Sequence, residues 1–187
     1  VSPTEIGPVV THPSHLKGIN GAPEEKEWRE AVNAEVQSFI DKGTVEYLDK
    51  KEIPKDRKII PCMAKLSVKY KNGAVERRKC RIVASGQKEE FLYDFMDVHS
   101  PTPMYVSVHM LLIVAETLGL RTFTMDVKTA FLNSDIKEYD IYVELPPGIG
   151  FPKRYGRLLK SVYGLKQAAR DWHVEMHKLL EELGSHC

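Results

Sequence analysis

The spacing of apolar residues along the chain predicts three helices. Between residues 23 and 43, apolar side chains recur at intervals near 3.6 residues, which predicts an amphipathic helix. Residues 102–119 are apolar nearly all round, so a helix capped by Thr102 is predicted there and should be buried. A third helix, again amphipathic, is predicted to follow a turn at Gly164 and to end at Gly184.

Alternation of apolar and polar residues predicts a β-hairpin over residues 62–86, around Asn72 and Gly73. A two-residue loop would mix charged and apolar side chains on both faces. A register shifted by one residue, with a three-residue loop ending in a bulge at Gly73, places the apolar side chains on one face and the charged side chains on the other. We predict this sorted register. One face then carries Ala64, Leu66, Val68, Cys80 and Ile82, and the other carries Lys65, Lys69, Arg77, Lys79 and Arg81.

Two further strands complete the pattern. Residues 120–127 alternate and place Asp126 at the end of a strand that is predicted to be buried. A charge there costs several kcal/mol unless something pairs with it, so Asp126 is a candidate functional residue. Residues 139–148 predict another strand, which a Pro-Pro-Gly turn ends. The order is helix, hairpin, helix, strand, strand, helix, without regular βαβ units, so the predicted fold class is α+β.

Composition is that of an ordinary globular chain, with 187 residues, of which 42% are hydrophobic and 28% charged. The chain begins with Val1 rather than Met, so it is expected to be a piece of something longer. No apolar run could span a bilayer and no signal peptide follows Val1, so the predicted location is intracellular, cytoplasmic or nuclear, and not secreted. Three widely spaced cysteines without a CxxC pair favour a reducing compartment. Residues 1–22 are predicted to be a flexible arm or linker, and residues 23–187 the folded domain.

A net charge of +1 conceals a strongly basic block. Between Lys50 and Gly86 there are twelve Lys or Arg residues against three Asp or Glu. Five of these cations share the predicted outer face of the hairpin. Such clustering is better explained by binding to phosphate groups than by a need for solubility. The block therefore predicts binding to a polyanion, and nucleic acid is the expected class.

Three segments carry a family resemblance: MDVKTAFLN at 125–133, YVELPPG at 142–148 and KSVYGLKQAARDW at 160–172. In this order and spacing they resemble the Ty1/copia-type reverse transcriptase domain of long-terminal-repeat retrotransposons. The resemblance runs from about Trp28 to the end of the chain. It implies an incomplete right-hand polymerase fold, made of the fingers and the first part of the palm.

The resemblance also implies a role for each candidate residue. Asp126 would be catalytic and would bind two Mg²⁺ ions, joined by the Val127 carbonyl, in two-metal nucleotidyl transfer. Phe131 would lie under the sugar of the incoming nucleotide. Nucleotide contacts are further implied for Lys79, Arg81, Thr129, Ala130, Tyr163 and Gly164, and contacts with nucleic acid for Lys65, Lys69, Arg77 and Lys166. The implied partners are RNA or DNA template-primer, dNTPs and the remainder of the polyprotein, with the rest of the palm, the thumb and RNase H.

The sequence departs from the family in its third motif, a Tyr-x-Asp-Asp turn, because it contains no Asp-Asp pair. The chain stops before the place where that turn is expected. Two Mg²⁺ ions about 4 Å apart need shared carboxylates, which one aspartate and a carbonyl do not supply. Four other acids read as solvated loop or strand-end groups: Asp135, Glu138, Asp140 and Glu144. The chain is therefore predicted not to polymerise DNA alone, as a product of a truncated element or a partial gene product.

Two alternatives stay open at this point. The chain could be a relic or domesticated fragment that grips nucleic acid through the cationic hairpin without chemistry. His173 and His177 lie four residues apart on the last predicted helix, a spacing that can chelate a metal, but surface histidines are the favoured interpretation. A serine hydrolase is disfavoured because no GxSxG motif occurs.

Overall fold

The computed structural model describes residues 13, 16–22, 24–90 and 98–184. Helices and strands account for the middle of the chain, with short 3₁₀ turns between them. The main elements, in chain order, are α1 (Glu25–Asp41), β1 (Val45–Leu48), β2 (Ile59–Lys71), β3 (Ala74–Ala84), α2 (Tyr105–Thr117), β4 (Tyr142–Glu144), β5 (Tyr155–Leu158) and α3 (Ala168–Glu182). This mixture of helices and one mixed sheet confirms the predicted α+β class.

The sheet has five strands in the order β1-β5-β4-β2-β3. The first three residues of β2, Ile59–Pro61, pair in parallel with β4, and residues 62–71 pair antiparallel with β3. Neither β1 nor β5 was predicted from the sequence. Each is four residues long, and β5 contains Gly156, so neither presents enough alternation to be recognised.

The core lies between the sheet and α1. Of the five residues of the predicted apolar stripe, Trp28, Val32, Val36 and Phe39 are buried, whereas Ile40 is 39% exposed. Ile19, from the segment predicted as an arm, is also buried, at 4% exposure. The division of the chain at residue 22 remains a prediction, because residues 1–12, 14–15 and 23 lie outside the described residues.

The hairpin of β2 and β3 confirms the sorted register. Leu66 lies opposite Cys80, and Lys65 lies opposite Arg81. The predicted three-residue loop is wrong, because Asn72 and Gly73 both have positive φ and form a two-residue loop. The extra residue is instead Glu76, where the register shifts between the pairs Tyr70–Val75 and Lys69–Arg77.

Helix α2 is exposed and has Met104, not Thr102, at its N-cap, so both the predicted burial and the predicted cap are wrong for the described chain. Of its residues, Ala115 alone is buried, whereas Tyr105, Leu111 and Ile113 are 65–78% exposed. An all-round apolar helix needs cover on every side, and no other described helix or strand packs extensively on it. No helix among the residues that the structure describes combines the length and hydropathy needed to cross a bilayer.

The predicted strand over residues 120–127 is also wrong. These residues form no strand, and Phe123 and Met125 are each 85% exposed. A strand needs a partner for its backbone, and no described strand is hydrogen-bonded to this segment. Asp126 is exposed rather than buried. A short 3₁₀ turn follows at Ala130–Asn133, and the third predicted helix is confirmed as α3.

Candidate functional site

The base of the candidate site joins the end of β3 to the turn before α3. The N–H of Ala84 donates to the carbonyl of Tyr163 at 2.7 Å, and Val83 forms a parallel bridge with the same residue. Gly164 has φ +92°, and a Cβ there would lie 2.2 Å from the Ala84 carbonyl oxygen. A glycine is therefore required for this close approach.

Three of the predicted nucleotide-binding residues lie together above this junction. The Arg81 guanidinium lies over the Tyr163 ring, 5.6 Å from its centroid. The Phe131 ring meets the same tyrosine edge-on, with centroids 5.0 Å apart. Each contact is a favourable aromatic geometry, so the three side chains form one aromatic cluster: Arg81, Tyr163 and Phe131.

Lys79 lies on β3 two residues before Arg81, and nearby charges influence its pKa. Burial lowers the pKa of the Lys79 ammonium, and the neighbouring charges of Arg81 and Arg77 lower it further. Glu35 and Asp126 act in the opposite direction on the same pKa. The charge of Asp126, which is exposed, therefore favours the protonated form of Lys79.

Five cations cover the outer face of the hairpin, and we call this surface the cationic face: Lys65, Lys69, Arg77, Lys79 and Arg81. The register puts like charges directly opposite each other, Lys65 against Arg81 and Lys69 against Arg77. Such pairs are destabilising in a free sheet. Lys69 is relieved in part by an ion pair with Glu76 at 2.9 Å.

Arg78 lies on the opposite, apolar face, where sequence analysis did not assign it a role. Its guanidinium pairs with Glu24 at 3.0 Å and with Glu27, and lies over the Trp28 ring. This arginine therefore fastens β3 to the start of α1 and does not contribute to the cationic face. Its position on the apolar side of the predicted register was the available signal.

Glu35 is a second residue that sequence analysis missed. It is 8% exposed, and its Oε1 accepts the N–H of Ile82 at 3.1 Å. Burial raises the pKa of this carboxyl, while the Ile82 hydrogen bond, Lys79 and Arg81 oppose the rise. The signal was an acidic residue on the apolar stripe of α1, one turn after Val32.

The turn after Asp126 holds the remaining predicted nucleotide contacts. Thr129 and Ala130 are half-buried, and Thr129 has the left-handed backbone values φ 49° and ψ 45°. Asn133, at the end of the turn, reaches back to its first carbonyls and also accepts a hydrogen bond from Lys42 of α1. Neither Asn133 nor Lys42 was singled out from the sequence.

Lys166 is held by the segment after β3. Its N–H donates to Glu89 Oε2 at 2.8 Å, and its ammonium reaches the Glu89 carbonyl at 3.4 Å. A Cβ on Gly86 would lie 2.0 Å from the Gly164 carbonyl oxygen, so the two backbones touch. Lys166 therefore stands at the junction, close to the predicted Tyr163–Gly164 turn.

The donor set does not fit a two-magnesium centre. Asp126 and the Val127 carbonyl offer one carboxylate and one carbonyl, and no group of three or more metal-ligating side chains converges anywhere in the described ranges. The four other acids considered each pair with a cation: Asp135 with Lys160, Glu138 with Arg170, Asp140 with Arg157 and Glu144 with Arg154. His177 pairs with Glu181 at 3.4 Å, as expected of a surface histidine.

Comparison with known proteins relates the chain to retrotransposon polyproteins. A family model described as reverse transcriptase (RNA-dependent DNA polymerase) matches residues 46–186. The chain is 33% identical over 174 residues to the Retrovirus-related Pol polyprotein from transposon TNT 1-94 of Nicotiana tabacum, which covers 90% of this chain and 13% of that protein. It is 30% identical to the RE1 Pol polyprotein of Arabidopsis thaliana, over 86% of this chain and 11% of that protein.

A yeast relative extends the match beyond plants. The Transposon Ty1-DR4 Gag-Pol polyprotein of Saccharomyces cerevisiae is 32% identical over 84% of this chain and 10% of its own length. No solved structure gives a significant match. The chain thus spans about a tenth of the length of these relatives. The family match covers more than half of the chain, and we conclude that the chain belongs to the reverse transcriptase family of Ty1/copia-type retrotransposon Pol polyproteins.

Proposed function

We propose that this chain is the fingers and first palm portion of an RNA-directed DNA polymerase, in which the cationic face binds template-primer. One observation carries the proposal. Like charges lie directly opposite each other on the hairpin, Lys65 against Arg81 and Lys69 against Arg77. A free sheet gains nothing from this arrangement, whereas phosphates that bind between the paired cations would turn repulsion into attraction.

The aromatic cluster extends the proposal to the incoming nucleotide. Lys79 and Arg81 would contact its phosphates, with the Arg81 guanidinium held in place by the Tyr163 ring. The backbone amides of Thr129 and Ala130 would meet the triphosphate from the other side. Phe131 would lie against the sugar, where a bulky ring disfavours a 2′ hydroxyl. The Tyr163–Gly164 turn, with Lys166, would shape the site for the base and the template.

Binding is proposed for this chain, and polymerisation by this chain alone is not. Asp126 and Val127 would contribute ligands to a divalent metal site, but they do not complete one, so no catalytic step is assigned to them here. The further carboxylates, the thumb and the RNase H would belong to the remainder of the polyprotein. Residues 23–187 would be the binding unit, and residues 1–22 the connecting arm.

The test is salt-dependent binding to a labelled RNA–DNA primer-template, measured by fluorescence anisotropy. Neutralising Lys79 and Arg81 together, as K79Q/R81Q, should weaken binding and reduce the slope of log Kd against log salt by about two. K51Q/K55Q is the matched control, because these exposed lysines belong to the same basic block but not to the cationic face. Equal slopes for both double variants would contradict the proposal.

Asp126 tests whether this chain alone has any polymerase activity. With Mg²⁺ and dNTPs, the chain is expected to bind the primer-template without extending the primer, and D126N should bind as tightly as the parent. Primer extension that D126N abolishes would overturn the statement that this chain alone does not polymerise. Loss of binding in D126N would instead place Asp126 in the nucleic-acid contact.

A further inference from the structure

We propose that Asn133, anchored by Lys42, is a positioning residue that holds Phe131 against Tyr163 and so sets where the sugar of a nucleoside triphosphate lies. The inference deepens the proposed function and rests on it for the role of Phe131. It stands on a strained backbone, on a side chain that spans the strained turn, and on an anchor from a different element.

The strain lies at Thr129. Among the described residues, the non-glycine residues with positive φ are Glu24, Asn72 and Thr129. Asn72 lies in the two-residue hairpin loop, where asparagine favours that conformation. Thr129 is β-branched, and its Cβ substituents make the left-handed region unfavourable. A threonine stays there only when its surroundings hold it.

Asn133 contributes to that hold, together with the Thr129 hydroxyl, which donates to the Lys128 carbonyl at 2.8 Å. Its Nδ2 lies 3.4 Å from the carbonyl oxygens of both Lys128 and Thr129, which stand immediately before and after the φ and ψ bonds of the strained residue. The Leu132 N–H also donates to the Thr129 carbonyl, at 2.9 Å. The Asn133 side-chain amide therefore donates to two successive carbonyls of the turn.

Lys42 fixes which end of the Asn133 amide faces the turn. Its ammonium donates to Asn133 Oδ1 from the end of α1, 91 residues away in sequence. Lysine has donors and no acceptor, so it selects the amide oxygen and leaves the NH₂ group for the carbonyls. Both side chains are half-buried, which limits competition from water.

The fixed turn sets the position of the Phe131 ring. It lies between the strained residue and Asn133, next to Leu132, which is fully buried. With both ends of this short turn fixed, the Phe131 ring is directed to the edge of Tyr163 at a centroid distance of 5.0 Å. Release of Thr129 to an ordinary backbone region would rotate the turn and carry the ring away.

The test uses the full 187-residue chain and two readouts. The first is the nuclear Overhauser contact between the Phe131 and Tyr163 rings. The second is the Kd for dTTP and for its ribose counterpart, ribothymidine triphosphate, which differs from it only by the 2′ hydroxyl. N133A should lose the ring contact, bind dTTP about tenfold more weakly and lose its preference for dTTP over ribothymidine triphosphate. N133D should behave like N133A, because a carboxylate cannot donate to the two carbonyls.

Rescue distinguishes positioning from a general structural role. N133A/T129G should recover the ring contact and the dTTP affinity, because glycine adopts positive φ without support. N133A/T129A is the matched control and should not recover them, because alanine keeps the Cβ. K42M leaves Asn133 in place and should weaken the ring contact, so it tests the anchor even if N133A does not fold.

Each contrary result points to one part of the inference. If N133A keeps the ring contact and the dTTP affinity, or if T129A rescues as well as T129G, the positioning role is overturned while the proposed function stands. If the parent chain shows no preference for dTTP over ribothymidine triphosphate, the nucleotide role is overturned for Phe131 and Asn133 alike. The ring contact then still decides whether Asn133 holds the turn.

Discussion

Glu35 allows a sharp test of how the base of the cationic face is held. Its carboxylate accepts the N–H of Ile82, and Ile82 is fully buried. E35L removes the acceptor at similar volume and leaves that donor unsatisfied, whereas E35Q keeps a carbonyl that still accepts. A buried unsatisfied donor costs about 1–3 kcal/mol. We therefore expect the free energy of unfolding of E35L to be about 1–3 kcal/mol below that of E35Q.

The same carboxyl gives stability a pH dependence of known sign. Burial raises the pKa of Glu35 above 4.5, against the opposing effects of the Ile82 N–H, Lys79 and Arg81. The folded chain therefore holds this proton more tightly than the unfolded chain does. The contribution of Glu35 is fully present below pH 4.5 and is lost as pH rises through the raised pKa, with a slope below about 1.4 kcal/mol per pH unit.

The assay is urea unfolding followed by circular dichroism, at a series of pH values between about 4.5 and 7.5. E30L and E30Q are matched controls, because Glu30 is exposed on the same helix, and they should differ by less than about 0.5 kcal/mol. The reasoning is refuted if E35L and E35Q are equally stable. It is also refuted if the parent and E35Q lose stability in parallel as pH rises from 4.5.

Two further predictions concern the junction and the exposed helix. G164A should lower the free energy of unfolding well beyond the about 1–2 kcal/mol expected for the backbone alone, because its Cβ would meet the Ala84 carbonyl. G148A, which has positive φ but open space, should cost no more than that backbone term. L111K and I113K should each change stability by less than about 0.5 kcal/mol and lower the binding of a hydrophobic dye, because both side chains are exposed. A loss of several kcal/mol in either lysine variant would mean that α2 is covered.

The hairpin shows how far local patterning reaches. Counting residues between Lys69 and Arg77 requires one irregularity, because a two-residue loop needs an even number between paired positions. The sequence therefore predicted the sorted register correctly. It did not predict the position of the irregularity, because Asn72 and Gly73 favour the short loop by their own backbone preferences. The extra residue is instead Glu76, which an ion pair with Lys69 stabilises.

Elements that depend on distant partners were predicted poorly. The apolar pattern of α2 indicated burial, but a pattern states what a helix needs and not what packs against it. Alternation over residues 120–127 met the same limit, since a strand exists only with a neighbour. At the candidate site, Arg81, Tyr163 and Phe131 were chosen by resemblance and do lie together.

The supporting residues were missed for a different physical reason. Glu35, Lys42 and Asn133 act through contacts that join segments 47 and 91 residues apart, and no local period encodes such distances. Glu35 left a trace, an acid on an apolar stripe. Lys42 and Asn133 left none, because a lysine after a helix and an asparagine after a turn are ordinary at those positions.

Helix α1 reaches the two walls of the candidate site with Glu35 and Lys42, one toward β3 and the other toward the Thr129 turn. These residues are seven positions apart, so the helical rise separates their backbones by about 10.5 Å along one side of the helix. Because a helix hardly changes length, α1 fixes the distance between β3 and the Thr129 turn at the base of the site. If the site widens to admit a longer or bulkier ligand, the movement must then come from the loop end of the hairpin, which these two contacts do not hold.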